Sequence, residues 1–420
     1  MSAVGAEDTG NTGKSDDADR AARPDATSVA AMVSLCTYTW FLYGIGPSLP
    51  LLRDELGTTS AVAGLHSLML AGGVIIAGFT GVNLGRRWRR YGVAWRGIVV
   101  LTIGVLIFTA GSLLRGVELA VTLPAMLVIG FAGGLLINVS NTILQEHNGA
   151  LGPAMLTLGN AAAAGVGLVT PLAVGLATDL GWTWRAAMIL VLPFAVISLI
   201  LIRPRRQVPA YALRPAGSSR FSFRGLPQAY WFAATAVVSA VAIEFCMITW
   251  TPDLLTSRTG MTPGTASGAV SAVVGGMAVG RLVVGALART RSPLGLFLIG
   301  VAVTAAGWAL VWLSTSPVAA VGGLLVVGLG VAGQYPLGAS MVMALSGGQP
   351  DRAVAVMGIG VGLASGLGPF TLGALADRLG VQIAFLVVPA LCFAAAGFVT
   401  AGQRWGRRTA DPTVRPTLGS

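Results

Sequence analysis

Residues 61–90 have the sequence AVAGLHSLMLAGGVIIAGFTGVNLGRRWRR. The run over 61–83 is mostly apolar, and four arginines fall within the seven positions that follow it. A helix of about 20 apolar residues spans the roughly 30 Å hydrocarbon layer of a bilayer, and positively charged loops collect on its cytoplasmic side. The stretch therefore predicts a membrane-crossing helix that ends in a positive loop.

The whole chain shares the composition of this stretch. Of its 420 residues, 54% are hydrophobic and only 10% are charged, and the mean hydropathy is +0.77. A soluble domain carries about a quarter of charged residues, so a soluble fold is excluded. The net charge of +11 does not predict nucleic-acid binding, because the cations punctuate apolar runs instead of sharing one solvated face.

Successive apolar runs predict an all-α integral membrane protein of 12 transmembrane helices in two six-helix bundles. The first six runs are 30–51, 61–83, 97–114, 120–144, 153–178 and 183–202. The second six are 229–251, 264–288, 293–314, 317–345, 353–376 and 381–402. The predicted domains are a disordered cytoplasmic tail (1–29), two bundles (30–202 and 229–402), a cytoplasmic linker (203–228) and a second cytoplasmic tail (403–420).

The positive charges predict the orientation of the chain. Most of the 27 Lys and Arg residues fall in the terminal segments, the linker and the loops after helices 2, 8 and 10. Positive loops stay in the cytoplasm, so we expect a multi-pass plasma membrane protein with both termini cytoplasmic. Arginine far outnumbers lysine, with Lys14 the only lysine, which is typical of a high-GC bacterial sequence.

The two halves match in sequence, which predicts a structural repeat about an axis normal to the membrane. Glycines of helix 2 recur in helix 8, and a Pro-Gly-Asp set at the end of helix 5 recurs at the end of helix 11. The matched sets are Gly64, Gly72, Gly81 with Gly268, Gly276, Gly285, and Pro171, Gly175, Asp179 with Pro369, Gly373, Asp377.

Disulfide, metal and enzyme chemistry find little support in the chain. Cys36, Cys246 and Cys392 lie inside apolar runs, and His66 and His147 have no neighbouring His or Cys. A membrane transferase, a remote alternative, needs clustered acids to hold a metal and a pyrophosphate, which the spans do not offer. A channel is disfavoured because no filter-like loop is visible. We expect no metal, no cofactor and no catalytic residue.

The segment 81–90 resembles the loop signature of the major facilitator superfamily, in which a glycine and an acid precede basic residues. Gly85 stands at the acidic position and Trp88 at the second glycine. Three other segments are similar to further features of this family: 280–289, Gly-Trp-Thr-Trp-Arg at 181–185 and Gly-Leu-Gly-Pro at 366–369. The resemblance implies the major facilitator fold and a secondary transporter that works by alternating access.

A weaker resemblance links residues 136–143, with Asn141, to fucose-permease-like bacterial members. Those symporters carry an acid in helix 4 where this chain has Ile137. Two functions stay open: export of a drug-like or amphipathic compound, and uptake of a sugar or organic anion, by antiport or symport with protons. The expected partners are a small solute, protons and membrane lipid, without nucleic acid, and the expected state is a monomer.

Glu244 is the only acid within the predicted spans and lies near the middle of helix 7. An ionised carboxylate is costly in a bilayer, so an intramembrane acid is a functional hypothesis. Its neighbours one turn away, Ala240, Val241, Met247 and Ile248, favour the neutral carboxyl, which suits a proton carrier. The alternative role is a hydrogen bond that locks helix 7 to a neighbour.

Arg281 lies in helix 8, roughly 10 Å from its cytoplasmic end. Its long stem can reach the interface, which favours a structural tie to loop carbonyls, and contact with a substrate anion is the alternative. Glu244 and Arg281 differ in depth by roughly 12 Å, so a direct ion pair is not expected.

The resemblance also implies that helices 1, 4, 7 and 10 line a central cavity. Amides and aromatic side chains on these helices suit neutral or amphipathic solutes. The candidate contacts are Tyr38, Trp40, Tyr43, Asn138, Asn141, Gln145, Gln334 and Tyr335. For each of them, an interhelical hydrogen bond or anchoring at the membrane interface is an equal alternative.

Small residues at spacings of four predict close helix packing. Such strips occur in helix 5, around Gly165, and in helix 11. Helices 5 and 11 are therefore expected to pack against helices 8 and 2, across the interface that slides when access alternates. The candidate gating residues are Gly81, Arg86, Arg90, Gly285, Gly358, Gly362 and Gly366.

Overall fold

The computed structural model describes residues 24–202 and 225–410, and every regular element within those ranges is a helix. The predicted tail residues 1–23 and 411–420 and the linker residues 203–224 lie outside the described residues. The first helix begins at Ala26 and the last ends at Ala410, so helix extends beyond the predicted bundle boundaries at 30 and 402.

The described helices fall into two halves. The first half contains α1 (Ala26–Leu56), α2 (Ser60–Gly111), α3 (Glu118–His147), a 3-10 turn (Gly149–Leu151), α4 (Gly152–Asp179), α5 (Thr183–Ile189) and α6 (Val191–Leu201). The second contains α7 (Gln228–Thr259), α8 (Pro263–Ala269), α9 (Ser271–Leu287), α10 (Pro293–Leu313), α11 (Pro317–Val331), α12 (Gln334–Ala344), α13 (Pro350–Leu379), α14 (Val381–Ala384) and α15 (Val387–Ala410). Pairs such as α8 and α9 form one interrupted span.

The helix α2 is too long to cross a membrane once. Its 52 residues correspond to about 78 Å at the helical rise per residue, against a hydrocarbon layer of about 30 Å. The backbone leaves helical geometry at Arg89, with φ 58° and ψ 163°. Arg89 therefore divides α2 into two segments, 60–88 and 90–111.

These two segments run in opposite directions along α3. In chain order, the contacts of α2 with α3 are His66 with Thr122, Gly81 with Leu135, Gly97 with Leu136 and Gly111 with Val121. The partner's number rises before Arg89 and falls after it, so α2 is a hairpin. Eleven helices of the described chain are long and apolar enough to cross a membrane, and the hairpin brings the crossings to the predicted twelve.

Each half packs around its own apolar interior. Across the described ranges, one hydrophobic core draws only on residues 30–202. The largest core of the second half draws on residues 236–399 and on a single residue of the first half, Ala63. The halves are thus separate bundles that meet along their surfaces.

Three sets of contacts join the halves: α1 packs on α7, the first segment of α2 packs on α13, and α4 packs on α8 and α9. We call the last two the seams. In the first seam, a methyl group added at Gly366 would lie 2.8 Å from the Cα atom of Leu68. In the second, one added at Gly175 would lie 2.9 Å from the backbone nitrogen of Gly268. Such backbone contacts require small residues, and they form between the helices that the small-residue strips pair.

At one end of the molecule, which we call the Asp377 end, each seam has an aspartate of one half that binds the start of a helix of the other half. The carboxylate of Asp377, in the last turn of α13, accepts the backbone N–H of Ser60 at the start of α2, at 2.7 Å. Asp179, at the end of α4, accepts the hydroxyls of Thr262 and Thr265 at the start of α8, at 2.9 and 3.0 Å. A carboxylate is favourable beside a helix N-terminus. The Pro-Gly-Asp repeat in the sequence is therefore a repeat of contacts between the halves.

The seams loosen toward the opposite end, which we call the Arg89 end. A methyl group at Gly362 would lie 3.0 Å from the Ile75 side chain. At Gly358 in α13 and Gly165 in α4, an added methyl group would have no atom within 4 Å. The two halves therefore diverge toward the Arg89 end and leave space between them.

Two adjacent glycines in α2 test its packing on α3. A methyl group at Gly73 would overlap backbone atoms of Leu127 and Phe131, whereas one at Gly72 would lie 3.7 Å from the Leu127 side chain. We expect Gly73→Ala to destabilise the protein by about 1–3 kcal/mol, the usual effect of overpacking, and Gly72→Ala to have little effect. Thermal unfolding of the purified variants in detergent measures the difference. Equal unfolding temperatures would contradict this packing.

Candidate functional site

A cavity of about 180 Å³ lies between the halves, bounded by α1 and α4 on one side and α9 on the other. Its polar lining is Thr39, Tyr43, Asn160 and Arg281, and its apolar lining is Ala163, Ala164, Val274, Met277 and Ala278. Because both halves supply its walls, any movement of one half against the other changes the shape of the cavity.

The helix α1 presents two hydroxyl groups to this cavity. Thr39 and Tyr43 are one turn apart, so their side chains lie on the same helix face. Gly167 of α4 leaves room for the Tyr43 ring, because a methyl group there would lie 3.0 Å from the ring. The Thr37 hydroxyl donates to the Val33 carbonyl, whereas the Thr39 hydroxyl has no hydrogen bond within the described chain.

Arg281 brings the only positive charge among the lining residues. Its guanidinium lies within reach of the Tyr43 hydroxyl. Other arginines have carboxylate partners: Arg53 with Asp253, Arg90 with Glu146, and Arg185 with Glu55. The ion pairs of the described residues, taken to 4.0 Å, include none for Arg281, so its charge is left to the cavity.

Glu244 lies half-buried in α7 and interacts electrostatically with Arg281 and Tyr43. In the part of the chain that the structure describes, its carboxylate takes part in no hydrogen bond or ion pair. The structure therefore brings together three of the predicted residues: the acid of helix 7, the arginine of helix 8 and one tyrosine of helix 1.

Asn141 connects the predicted polar face of α3 to the cavity. The Asn160 amide donates to its side-chain oxygen at 3.3 Å. The other members of that face, Asn138 and Gln145, are exposed and lie outside the cavity lining.

Four other predicted contacts lie away from the cavity. Tyr38 is 2% exposed and packs in the core of the first half. The Trp40 indole N–H donates to a backbone carbonyl of α5 at 2.8 Å. Gln334 donates to a threonine hydroxyl of α10 at 2.8 Å, and Tyr335 is exposed outside the lining. Tyr38, Trp40 and Gln334 thus serve contacts within one half.

The predicted gating residues fall into three environments. Gly362 and Gly366 lie in the α2–α13 seam. Gly285 and Gly358 face open space, because an added methyl group there would meet no atom within 4 Å. On the first half, Gly81 and Arg90 lie against α3 and Arg86 is exposed. Arg90 pairs with Glu146, at the end of α3. Because both partners belong to the first half, this pair ties the hairpin turn to α3 and does not bridge the halves.

A second cavity, of about 320 Å³, lies at the Asp377 end. There Arg53 of α1 forms a hydrogen-bonded ion pair with Asp253 of α7. The same guanidinium donates to the Ser60 hydroxyl at 3.2 Å and lies over the Trp250 ring, 6.0 Å from its centroid. Since Asp377 binds the backbone of Ser60, the ion pair and the α2–α13 seam form one network between the halves.

Sequence reasoning missed four of these residues. The predicted runs end at 51 and 251, which places Arg53 and Asp253 in loops, whereas α1 and α7 continue past both. Opposite charges at matching ends of helices 1 and 7 were the available signal. Thr39 could have been identified because it lies one helical turn before Tyr43. Asn160 had no such signal, because it lies on helix 5, outside the helices implied to line the cavity.

Comparison with known proteins bears on the family and the fold. Residues 30–349 match the family model described as Major Facilitator Superfamily. A comparison with curated protein sequences finds no match.

Three solved structures have a similar fold. A D-xylose-proton symporter has a TM-score of 0.70 and 13% identity, with 90% of this chain and 96% of that chain covered. A nucleoside transporter has a TM-score of 0.68 and 14% identity, with coverages of 90% and 98%. A bacterial homologue of the human lysosomal transporter Spinster, in an inward-facing and occupied conformation, has a TM-score of 0.63 and 15% identity, with coverages of 91% and 92%. At these identities the likeness shows the fold alone. Because the family model spans more than half of the sequence and the twelve-crossing fold agrees with it, the chain belongs to the Major Facilitator Superfamily, as a secondary transporter and not an enzyme.

Proposed function

We propose that this transporter moves a small solute through the 180 Å³ cavity and couples the movement to protons through Glu244. The observation that carries the proposal is the setting of Glu244, an interior acid without a hydrogen bond or ion pair among the described residues, close enough to Arg281 to interact with it. A carboxylate in an apolar layer gains little from staying ionised, so it can exchange a proton with the cavity. One protein of similar fold is itself named a proton symporter, which supports this coupling.

In this proposal the Arg89 end faces the cytoplasm of a cell whose plasma membrane holds the protein. The arginines around the hairpin turn at 86–90 support that orientation, since positive loops stay inside. The seams are closed at the Asp377 end and diverge at the Arg89 end, so the conformation is open to the cytoplasm. A monomer suffices, because one chain supplies both walls of the cavity.

The size of the cavity favours a small solute over a drug-like compound. Pockets for drug-sized ligands have volumes of about 300–1,000 Å³, whereas about 180 Å³ holds roughly six water molecules. Uptake of a small hydrophilic solute is therefore the first candidate, ahead of export of an amphipathic compound.

Replacing Glu244 by Gln tests the coupling. Proteoliposomes with an imposed pH gradient and an internal pH-sensitive dye report proton movement when a pentose, lactate or a quaternary ammonium compound is added. Removal of the titratable group should reduce solute-driven proton movement by about tenfold or more in Glu244→Gln. Glu118→Gln, at the start of α3, is the matched control and should behave as wild type. Unchanged proton movement in Glu244→Gln would exclude Glu244 as the carrier.

The ion pair between Arg53 and Asp253 must break when the Asp377 end opens. We expect Arg53→Asp to raise the population open at that end by about fivefold, the effect of roughly 1 kcal/mol, and a second change, Asp253→Arg, to restore the wild-type population. This population can be measured in cells with a cysteine introduced at Thr39. The rate at which an impermeant thiol reagent added outside labels that cysteine reports how often the Asp377 end is open.

The native cysteines in the described ranges are buried, which keeps the background of this labelling low. Arg378→Asp is the control, because it makes the same charge change at the Asp377 end on an exposed residue that forms none of the described ion pairs. If Arg53→Asp does not change the labelling rate, or if adding Asp253→Arg does not restore the wild-type rate, the ion pair does not hold the Asp377 end closed.

A further inference from the structure

The polar groups around the 180 Å³ cavity are mainly hydrogen-bond donors. Arg281 supplies a guanidinium, and Thr39 and Tyr43 supply hydroxyl groups. None of the lining residues in the described chain is an acid. A site built from donors and one cation suits a solute that offers acceptor oxygens and a negative charge.

Arg281 is the group in this site that is best placed to bind an anion. A guanidinium stays charged at every physiological pH, and Arg281 is exposed, so its N–H groups are accessible to a solute in the cavity. Arg53 and Arg185 are paired with protein carboxylates, whereas none of the described ion pairs involves Arg281. Its planar fork of N–H groups matches the two oxygens of a carboxylate.

We propose that the transported solute is a small organic anion, a monocarboxylate of about two to four carbon atoms, whose carboxylate binds Arg281 and the hydroxyls of Thr39 and Tyr43. This inference rests on the proposed function, because it names the solute class of the same cavity. The apolar surfaces of Ala163 and Met277 receive the carbon end of the solute.

The same chemistry disfavours the other two solute classes. A quaternary ammonium or amine drug would meet the charge of Arg281 directly, whereas the nearest acid, Glu244, lies outside the lining. A sugar needs several acceptors for its hydroxyl hydrogens, and beyond the two hydroxyl groups of α1 the lining offers only the Asn160 side-chain oxygen.

Anion binding and protonation of Glu244 are coupled through Arg281. The charged or titratable groups that face Glu244 in the described chain are Arg281 from α9 and Tyr43 from α1. With an empty cavity, the guanidinium favours an ionised Glu244. A bound carboxylate takes over that guanidinium and repels the ionised form, so anion binding favours the protonated Glu244. By reciprocity, a protonated Glu244 raises the affinity for the anion.

Anion binding and proton binding therefore favour each other. A proton gradient directed inward would drive uptake of the anion.

Isothermal titration calorimetry of the full-length protein in detergent tests the inference with lactate and lactamide, which share a shape and differ in charge. We expect wild type to bind lactate about tenfold or more tightly than lactamide, and to bind acetate and glycerate as well. Arg281→Gln should weaken lactate binding by about tenfold or more, and Arg289→Gln, beyond the end of α9, should leave it unchanged. Titration in two buffers of different protonation enthalpy should show net proton uptake on lactate binding in wild type and none in Glu244→Gln.

A second variant guards against misfolding of Arg281→Gln. Thr39→Ala combined with Tyr43→Phe keeps the charge and should weaken lactate binding several-fold. Equal affinity for lactate and lactamide, full lactate affinity in Arg281→Gln, or no binding of any of the three anions overturns the anion proposal. If it fails while a pentose still drives proton movement that depends on Glu244, the proposed function stands; loss of proton movement with every solute class overturns the proposed function itself.

Discussion

The close approach of helix backbones along the two seams is the constraint on which the rest of the molecule depends. Lipid chains are as apolar as the helices they surround, so association relies on tight packing and on a few hydrogen bonds. Gly175 and Gly366 allow that packing without interdigitated side chains, and the polar bonds gather at the Asp377 end. The halves are therefore held firmly at one end and are free to diverge at the other, which creates the cavity.

The cavity is chemically unequal although the scaffold is repeated. The first half supplies neutral groups, the hydroxyls of Thr39 and Tyr43 and the amide of Asn160, and the second half supplies the charge of Arg281, with Glu244 outside the lining. Neither half alone contains a complete site. In the proposed mechanism, solute recognition therefore depends on the relative position of the halves, which is the physical requirement for a carrier as opposed to a channel.

Length, hydropathy and small-residue spacing are local properties, so the helices and the helix pairs of the seams could be predicted from the sequence. The predicted loop at 84–96 is much shorter in the structure, because the arginine-rich stretch stays helical on both sides of Arg89, where the chain reverses. Tyr38 and Trp40 lie on the expected helix but on other faces, since α1 is surrounded by protein and carries no amphipathic stripe that marks the cavity side. The pairing of Arg53 with Asp253 depends on how two distant segments meet, which no local pattern encodes.

The interior position of Ala63 in the core of the second half means that the chain and the packing divide the molecule differently. Each half grips the tip of a helix that belongs to the other: α2 at Ser60, and α8 at Thr262. A rotation of rigid halves must then bend or release those tips. Opening the Asp377 end therefore requires the loss or bending of a helix start in both seams, because neither half keeps all of its own helix tips.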